Sequence, residues 1–304
     1  MKRLIPILIL LGLLLGACNA PALPRSTEYI DTGIDSSAWA LIPAGEFYYG
    51  IHNQVLSLDE YEIMVTHVTN AQYADYLNQA LADGDVRRED GNIFGYYPGE
   101  PFDGYKHEMP FEAGDYPYML VDLEGSRLEY VNGKFSPLPG YGNHPVALVT
   151  WFGASAYCEA VGGRLPMEAE WEKAARGTDQ RAYPWGDTIE RNRANFYASR
   201  DIFEKIVGKG GETTPAGYYN GKTYEGYKTL DAASPYGLYD MAGNLWQWTG
   251  DDYEKTHERT LRGGSKADYG YNLRVWTRNS ASPDYASINV GFRCVRSPIQ
   301  QVNK

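Results

Sequence analysis

Apolar and polar positions change period several times along the chain, and each change marks an element. Residues 41–50 (LIPAGEFYYG) read as a strand entering a turn, and 61–66 alternate as a half-buried strand does. Val68-Thr69-Asn70 then offers a cap, and a helix over 71–80 sets Tyr73, Tyr76 and Leu77 on one face. The stretch 81–117, dense in Gly, Asp, Pro and Tyr, reads as a long surface insertion. Residues 118–123 and 128–131 flank the turn Glu124-Gly125-Ser126 as a hairpin, and a second turn at Asn132-Gly133 leads into Lys134-Phe135. An extended run over 144–150 closes on Thr150, the N-cap of a helix over 151–161 that Gly162-Gly163 ends. Pro166 opens another helix, 167–176, with Glu168 and Glu170 near its positive end and Gly177 as its stop. From Tyr183 onward the pattern is loops and short strands. Helices early and strands late, without βαβ alternation, predict an α+β fold, and 26 Tyr, 33 Gly and 17 Pro predict a loop-rich one.

The amino terminus sets the expected compartment. Lys2 and Arg3 precede an apolar run over 4–15 that is too short for a permanent span. Leu15-Gly16-Ala17-Cys18 follows and resembles the lipobox of bacterial lipoproteins. Acylation of Cys18 would bury several acyl chains, which suffices for stable anchoring where one chain is marginal. The expected organisation is a signal peptide over 1–17, a lipidated tether over 18–39, one domain over 40–298 and a tail over 299–304. The expected location is a bacterial outer membrane and cell surface. Without Lys2 and Arg3, 26 basic residues face 39 acidic ones, and 26 − 39 leaves a formal charge of −13. That balance argues against nucleic-acid binding, whose affinity comes from neutralising phosphates. With Cys18 acylated, Cys158 and Cys294 remain; an exported protein usually pairs them, two buried thiols being the alternative.

The tetrapeptides Arg262-Gly263-Gly264-Ser265 and Gly291-Phe292-Arg293-Cys294 read as fixed framework around an irregular run. In residues 266–289, Tyr, Ser, Asn, Asp and Gly fill 12 of 24 positions, mostly without strand alternation. Antibody paratopes use a similar mixture, in which Tyr gives rigid amphipathic area and small polar residues give adaptable hydrogen bonds. The run therefore reads as a binding surface on a rigid frame, with Tyr269, Tyr271 and Tyr285 exposed. Trp276, beside Val275, reads equally as a binding anchor or as framework. Trp171, Trp185, Trp246 and Trp248 read as core. Arg262, Arg274 and Arg293 are expected to donate to buried loop carbonyls, an anion site being the lesser reading.

Several ordered segments resemble the formylglycine-generating enzyme (sulfatase-modifying factor) family, whose fold is an elaborated C-type lectin fold. They include Ile42-Pro43-Ala44-Gly45-Glu46-Phe47, Val68-Thr69-Asn70-Ala71-Gln72-Tyr73, Gly163-Arg164-Leu165-Pro166, Tyr183-Pro184-Trp185-Gly186, the run from Ser234 to Asn244, and Gly291-Phe292-Arg293-Cys294. The resemblance spans roughly residues 40–297. It implies a structural disulfide between Cys158 and Cys294. It also implies two copper-binding thiols shortly after RGGS, where this chain has Asp268 and Leu273, which cannot supply thiolate ligation or redox chemistry. Formylglycine generation is accordingly not expected. An iron-dependent branch of the superfamily uses histidines, but His52, His67, His107, His144 and His257 show no i, i+3 or i, i+4 spacing. The resemblance further implies a calcium site from Asp240, the carbonyls of Gly243 and Leu245, and an acidic residue where Gln247 stands. No cofactor is expected to be required; calcium, if bound, would staple loops.

The sequence is also similar to the variable proteins of diversity-generating retroelements, which display a hypervariable patch on this fold. Their mutagenesis replaces template adenines, and from Asn codons it reaches most residues but not Trp, Lys, Glu, Gln or Met. Ala267, Asp268, Tyr269, Gly270, Tyr271, Thr277, Asn279, Ser280, Ala281, Ser282, Asp284, Tyr285, Ala286, Ser287 and Ile288 all fall in the accessible set, whereas Lys266 and Trp276 do not. The resemblance implies a non-catalytic lipoprotein presenting a variable region over 262–294 to an extracellular ligand, a protein or another surface molecule. The expected contacts are Ala267, Asp268, Tyr269, Tyr271, Thr277, Asn279, Ala281, Ser282, Asp284, Tyr285, Ala286 and Ser287. The alternatives are an invariant lectin-fold envelope lipoprotein with a fixed partner, and an oxygenase or sulfatase-maturing enzyme.

Overall fold

Three capped helices and sixteen short strands build the computed structural model, which describes residues 28–101, 110–204 and 211–298. The expected signal peptide, Cys18 and the expected tail over 299–304 lie outside them. Helix α1 (Asn70–Asp83) starts on Thr69, whose hydroxyl accepts from Gln72 N while the Gln72 side chain accepts from Thr69 N. These two bonds satisfy donors that a helix start leaves open. Gly84, left-handed at φ 82°, ends it. Helix α2 (Trp151–Ala160) is capped by Thr150, which accepts from Gly153 N at 3.2 Å. In α3 (Glu168–Arg176), Glu170 accepts from Met167 N at 2.7 Å, and Gly177 follows the last turn.

From residue 28 onward, the segment read as a tether is laid on the domain. Thr32 is buried and its hydroxyl donates to the Ala216 carbonyl at 2.9 Å, while Asn143 Nδ2 donates to the Ile30 carbonyl at 2.7 Å. Trp39–Ile42 pairs with Tyr61–Met64, which also pairs with Val295–Arg296, so the two ends of the domain are zipped together.

The surface insertion expected over 81–117 is instead a three-stranded antiparallel sheet of Val86–Glu89, Asn92–Tyr97 and Gly114–Met119. Its burial rests on a few residues such as Val86 and Ile93, while Arg87, Arg88 and Glu89 face solvent. Asp90-Gly91 makes the first connection with φ of 46° and 79°, the chemistry a two-residue hairpin demands. The expected hairpin of 118–123 with 128–131 does not form. Leu128–Val131 pairs with Lys134–Pro137 through Asn132-Gly133, whose φ values of 53° and 79° suit a tight turn.

A four-stranded sheet carries the carboxy-terminal run, in the order Arg278–Ala281, Arg259–Arg262, Trp246–Asp252, Val290–Gly291. The main core includes Trp248, Tyr73, Tyr157 and Phe292 together with the Cys158–Cys294 disulfide. Both cysteines are fully buried and their Cα atoms are 5.5 Å apart, so the bond ties α2 to the end of the domain.

Candidate ligand-binding surface

The frame beneath the run is buried and charged. Arg262 is fully buried and donates to Glu168, to Glu172 and to the Val275 carbonyl. Glu172 also pairs with Arg176 at 3.1 Å, and Glu168 with Arg278 at 2.6 Å. The Arg262 guanidinium lies over the Trp171 ring at 5.3 Å. A buried ion network of this kind is costly to interrupt, because a lost partner strands a charge in low dielectric. Gly263 and Gly264 have φ of 95° and 72°, and a Cβ on Gly264 would come within 2.8 Å of Leu273 Cδ1. RGGS is thus a turn that only glycine fits closely.

Beyond the frame the chain alternates between pegs and open positions. Leu273, Val275 and Val290 are at most 2% exposed and serve as pegs. Ala267, Tyr269, Tyr271, Asn279, Ser282, Asp284 and Tyr285 are exposed, as expected of contacts. Thr277, Ala286 and Ser287 are half-buried. Ala281 departs from the expectation: its methyl packs against the main core, so a larger side chain there would press on folded structure. Asp268 departs too. One carboxylate oxygen accepts from Ser265 N and Oγ at 3.0 and 2.6 Å, the other from Asn272 Nδ2 at 3.0 Å. Its carboxylate therefore ties the loop rather than reaching outward.

Two residues outside the accessible set turn out to organise the run. Lys266 is buried; its Nζ donates to the Ile288 carbonyl and, at 2.8 Å, to Asn289 Oδ1, clasping the run's two ends. Burial pushes its ammonium down to about 8. Trp276 is framework rather than anchor, lying near the guanidinium groups of Arg176 and Arg274 at 5.1 and 5.8 Å. Arg293 meets the carbonyl expectation, donating to Met64, Val65, Tyr239 and Asp240. Arg274 does not; it stacks on Tyr271 at 4.3 Å. Tyr197, distant in sequence, was not foreseen. Its ring lies 4.9 Å from that of Tyr269, and nothing in its local pattern announces the contact.

The calcium set does not fit a cation. Gln247 Oε1 accepts from Trp171 Nε1 at 2.9 Å and from Arg293 Nε at 2.7 Å, so an ion held there would meet a guanidinium. The Leu245 carbonyl already faces His67 Nε2 at 3.2 Å, and Asp240 Oδ2 accepts from Gly217 N at 2.7 Å. Gly243 N bonds the Gly263 carbonyl at 2.9 Å, which joins this loop to RGGS. Burial raises the Asp240 carboxyl to about 6. Arg293 does here what a cation would do, drawing loop carbonyls together. Burial also holds His67 well below its ordinary value and His144 at about 3, so both imidazoles are neutral packing groups. Among the described residues, no three His, Cys, Asp or Glu side chains group as metal ligands would.

A buried, charged frame thus lies under an irregular, open loop face. The chain belongs to the sulfatase-modifying factor enzyme 1-like domain family, whose model matches residues 32–298. Formylglycine-generating enzyme of Streptomyces coelicolor is 30% identical over 291 residues, covering 83% of this chain and 87% of that enzyme. Serine/threonine-protein kinase pkn1 of Chlamydia caviae is 36% identical over 216 residues, or 65% of this chain; the matched part is 31% of the kinase. Inactive C-alpha-formylglycine-generating enzyme 2 of Mus musculus is 40% identical over 164 residues, 50% of this chain and 49% of that protein. The chain thus spans only about a third to a half of these last two relatives. Among solved structures, Treponema denticola variable protein 1 shares the fold with a TM-score of 0.50 and 20% identity, over 87% of this chain and 98% of that one. The relatives include active enzymes, an inactive paralogue and a variable protein, so membership of the family fixes the scaffold and not the chemistry.

Proposed function

We propose that the protein is a surface-displayed lipoprotein whose lectin-like scaffold presents a ligand-binding site diversified by a retroelement, without catalysis. One observation carries this reading. The residues that fold the run (Arg262, Leu273, Val275, Val290) are fully or almost fully buried, while seven of the twelve expected contacts protrude. Side chains of that second kind can change at little cost to folding, since surface substitutions away from special features usually fall within about 0.5 kcal/mol. Cys18 would be acylated and hold the domain at a bacterial outer membrane, with residues 267–288 turned to an extracellular ligand.

The similarity to a formylglycine-generating enzyme along most of its length favours a second reading, a sulfatase-maturing catalyst. Against it stand Asp268 and Leu273 at the positions expected for the two thiols. Leu273 is buried in an apolar cluster with Tyr183, Phe196 and Ala242, where it fills space. Radiolabelled palmitate incorporation, with Cys18→Ala as the control, and protease digestion of intact cells test anchoring and display together. A protein that takes up no label, or that intact cells protect completely, would remove this reading. Turnover of a cysteine-containing sulfatase peptide would restore the catalytic one.

A further inference from the structure

We propose that the binding surface includes a constant aromatic residue outside the diversified run, Tyr197, which contacts a folded protein partner. The inference rests on the display reading above. Tyr197 is 43% exposed, and its ring meets that of Tyr269 at a 57° tilt. The loop that presents it is fixed on both sides. Asn195 is buried, with Nδ2 donating to the Glu212 carbonyl at 2.8 Å; Phe196 and Ser199 are buried as well. Tyr197 N donates to the Asp268 carbonyl at 2.9 Å, coupling the loop to the run itself. A side chain on so determined a backbone loses little freedom when a ligand binds.

The neighbours point to a protein partner. Tyr269 and Tyr271 are 65% and 62% exposed, and the Arg274 guanidinium stacks on the Tyr271 ring at 4.3 Å. Among the described residues no hydrogen bond engages the hydroxyls of Tyr197, Tyr269 or Tyr271, so each ring offers apolar area and a free polar tip. Exposed tyrosines, one of them stacked on an arginine, match the residue types enriched at protein–protein hot spots. Diversification gives the constant ring a particular value. Where codon 269 specifies Ala or Ser, the part of the Tyr197 ring now covered by Tyr269 opens to solvent. Every variant then keeps an aromatic contact at this place, and the variable positions set which partner it joins.

The mature chain, randomised at the exposed positions 267, 269, 271, 279, 282, 284 and 285, is displayed on yeast and selected against egg-white lysozyme as a folded protein probe. In the selected clones, Tyr197→Ala should weaken binding by about tenfold or more. Tyr197→Phe should cost less, and Tyr96→Ala, at an exposed tyrosine on the separate three-stranded sheet, should cost nothing. Melting temperatures of all three should match the parent. Clones that bind equally well without Tyr197 would overturn the inference and leave the display reading intact. A well-folded library that yields no binder would defeat the display reading and this inference with it.

Discussion

Replacing Arg262 by Ala is the sharpest test of the frame. Its guanidinium donates to two buried carboxylates and one carbonyl. Truncation would strand Glu168 and Glu172, which are 7% and 0% exposed at their side chains. Each keeps one other cation, Arg278 at 2.6 Å and Arg176 at 3.1 Å, so the loss is not total. Removing one partner from a buried pair costs about 3–5 kcal/mol. Two charge-assisted bonds at about 1.5–3 kcal/mol each give a similar figure. The residual cations place the expected loss near the lower end, about 3 kcal/mol. At roughly 2–4 °C per kcal/mol for a domain of this order, the melting point should fall by about 6–12 °C. Urea unfolding followed by tryptophan fluorescence measures the change, with Tyr271→Ala as the comparison. That variant should stay within about 0.5 kcal/mol. If Arg262→Ala cost less than Tyr271→Ala, the frame would not be what holds the run.

Further expectations concern charge, the disulfide and calcium. Asp240 has a folded-state value of about 6 against an ordinary 3.8. The folded protein therefore holds this proton more tightly, so the contribution to stability is full below about pH 4 and is lost as pH rises through 6. Asp240→Asn should flatten that part of a stability–pH curve measured by urea titration. The double change Cys158→Ser with Cys294→Ser opens a bond across 136 residues and should cost up to about 5 kcal/mol in the chain-entropy picture, read from the same titration. Calcium or a chelator should leave the calorimetric melting temperature unchanged. An upward shift with calcium would mean that Gln247 leaves Trp171 and Arg293.

The helices were legible because their signals are local. Thr69, Thr150 and Gly177 mark ends whatever surrounds them, whereas α1 runs past residue 80 to Gly84. The sheet at 86–119 was not, since Arg87, Arg88 and Glu89 mask the alternation, although Asp90-Gly91 was a usable turn signal. In the site, the tyrosines were legible from composition and neighbours. Asp268 and Ala281 were misplaced because composition says nothing about which small or polar side chain a loop keeps for itself. Tyr197 was beyond reach: it lies about seventy positions upstream of the residue it touches, and only the folded chain brings the rings together. Lys266 could be excluded from variation by its codon, but its clasp on Ile288 and Asn289 needed coordinates.

Retroelement diversification would fall on the exposed part of residues 262–294 and spare its buried frame. Deep sequencing of these codons across a population of source cells, with the neighbouring DNA read for an adenine-rich near copy, tests it most directly. Substitutions should be confined to adenine positions of such a copy, concentrated at Ala267, Tyr269, Tyr271, Asn279, Ser282, Asp284 and Tyr285 and absent from Arg262, Lys266, Trp276 and Cys294. An invariant segment with no near copy would contradict it and leave a lectin-fold protein with one fixed partner.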